Sequence, residues 1–119
     1  MLSGSKGQKI YPLSKDHKPS DDIERKRIIE AGGQIYQTAT KIPNNTQEGS
    51  ARKEIIIGPQ RVLPGRLSVS RTFGDIEAKI EKRGGNPNVV VAIPDIKSFK
   101  ITEEHDFIIM GSDGIYDKI

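Results

Sequence analysis

The chain has 119 residues, enough for one modest domain and too few for two domains that each bury a core. Hydrophobic residues make up 34% of it and charged residues 29%, with three Phe, three Tyr and no Trp, which is thin material for a self-sufficient core. The 19 basic and 16 acidic residues are interspersed, which argues against a nucleic-acid interface, and the absence of cysteine excludes disulfides, thiolate catalysis and cysteine-ligated zinc.

Targeting signals are not visible in the sequence. No apolar run approaches the roughly 20 residues of a membrane-spanning helix. The N-terminal segment MLSGSKGQKIYPL has no apolar core of a secretory signal, and Leu2 stands where N-myristoylation needs glycine. We therefore expect an intracellular, cytoplasmic protein that binds neither nucleic acid nor membrane.

The first third of the chain predicts a hairpin followed by a helix. A Gly/Ser/Lys turn over residues 3–7 separates the end of one strand from a second strand at Lys9–Leu13. Asp21, with Glu24 three residues later, is typical of a capping box. It predicts a charged helix that ends near Ala31, where two glycines supply a left-handed exit.

The middle of the chain is less regular. Residues 34–50 are polar, aperiodic and rich in turn formers, which predicts an exposed excursion, with a variable flap-like insertion at 38–52. Glu54–Ile57 is a short apolar run, and the pattern over 61–75 is ambiguous between strand and turn.

Three further elements are predicted toward the C-terminus. Ile76–Lys82 can form a short helix, and the β-branched run VVVAIP at 89–94 predicts an edge or terminal strand. Phe107–Met110 is short and apolar enough for a buried strand, and it runs directly into SDGIYDKI.

Two carboxylates follow that last strand. Asp113 and Asp117 are four residues apart, so a turn opening into a helix would place both on one side. Mg²⁺ and Mn²⁺ prefer oxygen ligands and keep several waters beside one or two carboxylates, and such a water is a candidate nucleophile. From spacing alone, the plainer interpretation of an ordinary turn at Asp113 and a solvated helix residue at Asp117 is favoured.

Other polar residues are weaker candidates for a site. Asp16 could join the same metal cluster, whereas the neighbouring His17 is equally able to cap or contact the backbone. Arg71 and Asp75 are interpreted as an ion pair or a loop brace that could support the site.

Four segments, in this order, resemble the metal-dependent type-2C protein serine/threonine phosphatases: LSKDHKP at 13–19, ERKRIIEAGG at 24–33, GRLSVSRTFGD at 65–75 and FIIMGSDGIYD at 107–117. The resemblance covers nearly the whole chain except about 38–52, where the family carries its variable flap. It implies an α+β fold in which residues 1–119 form part of the catalytic domain. The expected architecture is a partial four-layer α/β/β/α sandwich of antiparallel sheets flanked by helices, truncated at both ends.

The resemblance also implies an activity and a site. It makes Asp113 a ligand of the family's dinuclear Mg²⁺ or Mn²⁺ center and assigns Asp16, Asp113 and Asp117 to a weaker third metal site. The implied reaction is hydrolysis of phosphoserine and phosphothreonine proteins by a metal-activated water. The family's Asp-Gly-His-Gly type motif, its phosphate-binding Arg and its final Asp-Asn type motif do not occur in this sequence. We therefore expect this chain alone to be nearly inactive.

Two alternatives stay open. The chain could be a non-catalytic remnant of the phosphatase fold that binds a partner through its exposed sheet face or its flap. It could also be an unrelated module that binds a divalent cation, although that would leave the SRTFGD and DHKP segments unexplained.

Overall fold

The computed structural model describes residues 2–4, 8–42 and 54–118. Helices and antiparallel strands alternate along these ranges, which confirms the α+β class. The elements are β1 Leu2–Gly4, β2 Lys9–Tyr11, α1 Asp22–Glu30, β3 Gln34–Ile42, β4 Glu54–Leu63, α2 Ile76–Lys79, a 3₁₀ turn at Glu81–Arg83, β5 His105–Ile108 and α3 Asp113–Tyr116. Their contacts divide the chain into two compact units, residues 1–15 with 95–119 and residues 16–94.

The first unit is built on a three-stranded antiparallel sheet in the order β2-β1-β5. The predicted hairpin is confirmed, with Leu2 of β1 opposite Tyr11 of β2. The strand predicted at Phe107–Met110 forms as β5, but its predicted burial is wrong, because Phe107 is 55% exposed. The reason is that the described residues do not cover the side chains of this edge strand, since its Ile108 is also 48% exposed.

The second unit holds the hydrophobic core of the described residues. The helix α1 lies against it, and the β3–β4 ribbon supplies its next layer. The fully or almost fully buried apolar side chains are Ile28, Val62, Ala78, Val89 and Val90, with Ala31, Ile35 and Leu67 packed at the edge. Val89 and Val90 of the β-branched segment 89–94 thus serve burial, whereas Ile93 is 63% exposed.

The prediction of a strand at 89–94 is wrong. Only Val91 pairs with a neighbouring segment, as an isolated bridge to Arg71. The carbonyl oxygens of Val89 and Ile93 accept hydrogen bonds from arginine guanidinium groups instead of from a neighbouring strand. Backbone pairing is therefore limited to the Val91 bridge, and guanidinium groups bind the carbonyls on either side of it.

The helix α1 forms where the sequence predicts it. Asp21 is its N-cap and accepts the backbone N–H of Glu24 at 3.4 Å, while the chain leaves through Gly32 at φ 87°. Only this half of the predicted capping box is realised. The Glu24 carboxylate turns inward and is 1% exposed, so it does not return to the start of the helix.

The prediction of an irregular excursion beginning at residue 34 is wrong for Gln34–Ile42. These residues form β3, paired antiparallel with β4 from Gln34 opposite Leu63 to Ile42 opposite Glu54. The isoleucine-rich partner strand is distant in sequence, so the composition of 34–50 alone does not reveal it. The remainder of the flap predicted at 38–52, from residue 43 onward, lies outside the described residues.

Two smaller outcomes complete the fold. The ambiguous stretch after residue 60 continues β4 to Leu63 and then turns at 64–66, and the helix predicted at Ile76–Lys82 divides into α2 and the 3₁₀ turn. In the part of the chain that the structure describes, no helix has the length and apolarity needed to cross a membrane.

Candidate functional site

The helix α3 presents the two carboxylates that the sequence predicts as metal ligands. Asp113 is the first residue of α3 and Asp117 follows its last, one helical turn away, with the Asp117 N–H donating to the Asp113 carbonyl at 2.9 Å. The turn is ordered by the Ser112 carbonyl, which accepts the N–H groups of Ile115 and Tyr116 at 3.0 and 3.1 Å. Asp113 and Asp117 therefore sit on one exposed turn of the first unit.

The donor chemistry of this turn suits a hard divalent cation. Both residues are exposed, and neither carboxylate forms an ion pair with another described residue. Mg²⁺ typically binds through one or two carboxylates and retains several waters. Asp113 and Asp117 could hold such a hydrated ion.

Asp16 belongs to the second unit, in the segment before α1. Its carboxylate is 76% exposed and pairs with Lys18 Nζ at 3.1 Å. An exposed pair of this kind contributes little free energy, so the carboxylate is easily released to another cation. In the ranges 2–4, 8–42 and 54–118, no three His, Cys, Asp or Glu side chains are grouped so that they could hold a metal ion. The three-residue metal site stays a prediction.

A second polar center is the buried carboxylate of Glu24. Three side chains donate to it: Arg27 Nη2 at 2.9 Å, the Arg71 guanidinium and the Ser70 hydroxyl. Ser70 is fully buried, and the two guanidinium groups are mostly buried. One anion is therefore shared by two cations, and we call this group the Glu24 cluster (Glu24, Arg27, Ser70 and Arg71).

The arginines of the Glu24 cluster also bind backbone. Arg27 Nη1 donates to the carbonyls of Asn88 and Val89, both at 3.0 Å, and Arg71 Nη1 donates to the carbonyl of Ile93 at 3.1 Å. The cluster thus joins α1 to the segments around 70–71 and 88–93. Charge-assisted bonds of this kind are about twice as strong as neutral ones.

The cluster fixes the protonation state of Glu24. Burial by itself would raise the pKa of this carboxyl, because it disfavours the charged form. The hydrogen bonds from Arg71, Arg27 and Ser70 outweigh burial and lower the pKa from its ordinary 4.5 to about 2. Glu24 is therefore an anion throughout the neutral and mildly acidic range.

The other polar residues singled out from the sequence have structural contacts. The His17 carbonyl accepts the Ser70 N–H at 2.9 Å, and Arg71 pairs with Glu24. Asp75 occupies the left-handed region at φ 49° and accepts the Ala78 N–H through its carbonyl. Helical spacing does indicate that Glu24 is buried, because it lies four residues before the core residue Ile28 on the same helix face. The capping-box pattern instead predicts that its side chain returns to the start of the helix.

A pocket of about 310 Å³ lies in the first unit. Its wall includes the aromatic rings of Tyr11, Phe99 and His105, the last two in an edge-to-face contact at 5.9 Å. The residues that line it do not include Asp113 or Asp117. The pocket and the carboxylate turn are separate features.

Comparison with known proteins gives a consistent result. The family model for "Protein phosphatase 2C" matches residues 1–119. The chain is 34% identical over 110 residues to "Probable protein phosphatase 2C 5" of Paramecium tetraurelia, covering 92% of the chain and 30% of that protein. It is 34% identical over 114 residues to "Protein phosphatase 2C homolog 3" of Schizosaccharomyces pombe, covering 96% of the chain and 22% of that protein.

A plant protein, "Probable protein phosphatase 2C 21" of Arabidopsis thaliana, is 31% identical over 114 residues, which is 95% of this chain and 26% of that protein. The chain thus spans less than a third of the length of these curated relatives. No solved structure matches it.

The low pKa of Glu24 predicts a specific sensitivity to acid. The pKa of Glu24 is about 2 in the folded chain and 4.5 in the unfolded chain. Its ionised carboxylate therefore stabilises the fold fully at pH values above 4.5, and this stabilisation is lost as the pH falls from 4.5 through about 2. Glu24→Gln leaves two guanidinium groups without their anion and should lower the free energy of unfolding by about 3 kcal/mol near neutral pH. It should also flatten the decline in stability between about pH 5 and about pH 2.

Urea unfolding followed by circular dichroism at several pH values measures both effects. The control is Glu30→Gln on the same helix, where an exposed pair with Lys26 at 3.9 Å is lost and stability should change by less than about 0.5 kcal/mol. An acid decline as steep in Glu24→Gln as in the unsubstituted chain would contradict the assignment.

Proposed function

The chain belongs to the protein phosphatase 2C family, and we propose that it acts in a metal-dependent phosphatase of phosphoserine and phosphothreonine proteins. The family match over residues 1–119 carries this proposal. The exposed carboxylate turn at Asp113 and Asp117 supports it, because phosphoryl transfer relies on positioning and on charge stabilisation by divalent ions.

The metal would be Mg²⁺ or Mn²⁺, with Asp113, Asp117 and Asp16 as its ligands from this chain. When bound, such an ion supplies an activated water and stabilises charge on the phosphoryl oxygens. The chain's own contribution is to hold the Asp113 and Asp117 carboxylates one helical turn apart and open to solvent. Because the family's phosphate-binding Arg and its remaining metal carboxylates do not occur in this sequence, the chain alone should be nearly inactive.

The wider architecture proposed is the four-layer sandwich. The support for it is that apolar residues of the three-stranded sheet, Ile10 at 65% and Phe107 at 55%, are exposed, and an apolar sheet face requires a covering layer. A cytoplasmic location without nucleic-acid or membrane partners is part of the same proposal, supported by the interspersed charges and the absence of cysteine.

A second candidate is a non-catalytic remnant of the phosphatase fold that binds a partner. The observation in its favour is the same exposure of apolar side chains, which also extends to Ile55–Ile57 of β4. The two candidates differ in one measurable property: only the first requires turnover.

Turnover of a phosphothreonine peptide with Mn²⁺ should therefore be measured for the complete gene product and for this chain. The complete product should be active and should lose its activity on chelation of the metal, whereas the chain should be nearly silent. In the complete product, Asp113→Asn should lower kcat/KM at least about tenfold, as loss of a metal ligand does. Glu103→Gln, an exposed acid before β5, serves as the control. Silence of the complete product would contradict the enzyme proposal, and robust turnover by the chain would contradict its predicted inactivity.

Metal binding by this chain can be tested without turnover. Calorimetric titration with Mn²⁺ should show weak binding, and Asp113→Asn and Asp117→Asn should each abolish most of the heat because each removes one of the few carboxylate ligands. Glu103→Gln should leave the titration unchanged. Equal binding by Asp113→Asn and the unsubstituted chain would overturn the ligand assignment. Binding without phosphatase activity in the complete product would favour the simple cation-binding module.

A further inference from the structure

The buried core of the described residues does not extend beneath the outer half of the β3–β4 ribbon. Residues 37–41 of β3 are all exposed, and opposite them Ile55, Ile56 and Ile57 are 58%, 53% and 64% exposed. Two-stranded ribbons are marginally stable in water unless more strands or a helix join them. A further strand would therefore stabilise this part of the ribbon.

The outer edge of β4 is poorly suited to accept another strand. Pro59 has no N–H to donate, and the register shifts beside it, where Gly58 and Pro59 stand opposite the single residue Thr38. Farther along, the Val62 N–H is already bound to the Leu67 carbonyl at 2.8 Å. Prolines, bulges and local cover of this kind protect strand edges from pairing.

The outer edge of β3 has none of these devices. Its nine residues, QIYQTATKI, include no Gly or Pro and a single charge at Lys41. Among the described residues, β4 is the only strand paired with β3, and no loop or turn of those residues forms a backbone hydrogen bond with β3. A long edge with one charge is a surface for strand addition.

We propose that β3 pairs antiparallel with β3 of a second copy of this chain, centred on Thr38. This register pairs all nine residues and places Thr38 opposite its own copy on the two-fold axis. Tyr36 then faces Thr40, an aromatic and β-branched pair of the kind that stabilises sheets, and Lys41 faces Ile35. Registers that shift the axis toward Lys41 bring the two ammonium groups together and are disfavoured.

Self-pairing through β3 also explains why the assembly stops at two chains. The new sheet has the order β4-β3-β3-β4, and both of its outer edges are the protected edges of β4. An isologous contact of this kind closes on itself. A second copy is therefore favoured over an open chain of copies, and an extended peptide of another protein is the competing occupant.

Sedimentation velocity over a concentration series tests the contact. The chain should pass from monomer to dimer, and Thr38→Lys, which sets two like charges directly opposite, should raise the dimer dissociation constant about tenfold. Thr38→Val, a neutral strand former, should dimerise as the unsubstituted chain does. Mixing the Thr38→Lys and Thr38→Glu chains should restore the dimer, a rescue that a general loss of folding cannot give.

Cross-linking tests the register, because the chain contains no native cysteine. Thr38→Cys should form a disulfide-linked dimer on mild oxidation. Thr40→Cys should not, since the two copies of residue 40 would lie four positions apart along the pair, about 13 Å. A monomer at every concentration, a dimer insensitive to Thr38→Lys, or equal cross-linking by both variants would each overturn the proposal. So would pairing of β3 with a foreign peptide while the chain remains monomeric.

Discussion

The second unit depends on the interaction of the buried Glu24 carboxylate with the guanidinium groups of Arg27 and Arg71. The carboxylate lies on the buried face of α1 and accepts hydrogen bonds from Arg27 of the same helix and from the neighbours Ser70 and Arg71, which are 46 and 47 residues away. Burying an ion is unfavourable unless interactions with its partners compensate for the lost hydration. Here the Glu24 carboxylate pairs with two guanidinium groups, whose other N–H groups donate to backbone carbonyls. Removing Glu24 would take from both arginines the buried anion that they share, so the members of the cluster depend on one another.

The same cluster explains why 88–93 has an irregular backbone within a β-branched sequence. A strand needs carbonyls that are free to bond a neighbour, and Arg27 and Arg71 have taken those of Asn88, Val89 and Ile93. Val89 and Val90 then contribute to the core by burial. A long-range ionic interaction has overridden local strand propensity here.

Features decided within a few residues could be predicted from the sequence. The cap at Asp21, the first hairpin and the turn that carries Asp113 and Asp117 depend on neighbours at most a few positions away. The inward turn of Glu24, the strand Gln34–Ile42 and the loss of a strand at 89–94 depend on partners that are 12 to 62 residues distant. A single sequence does not specify those partners, and the predicted metal site has the same dependence because Asp16 is far in sequence from Asp113 and Asp117.

The account of the second unit rests on coupling between Glu24 and its arginines, and a double-mutant cycle measures that coupling directly. The free energy of unfolding should be determined for Glu24→Gln, Arg71→Gln and the double variant. If the cluster acts as one unit, each single change already disrupts it. The loss in free energy of unfolding for the double variant will then be about 2 kcal/mol smaller than the sum of the losses for the two single variants. Effects that add to within about 0.5 kcal/mol would show that Glu24 and Arg71 act independently and would contradict the account.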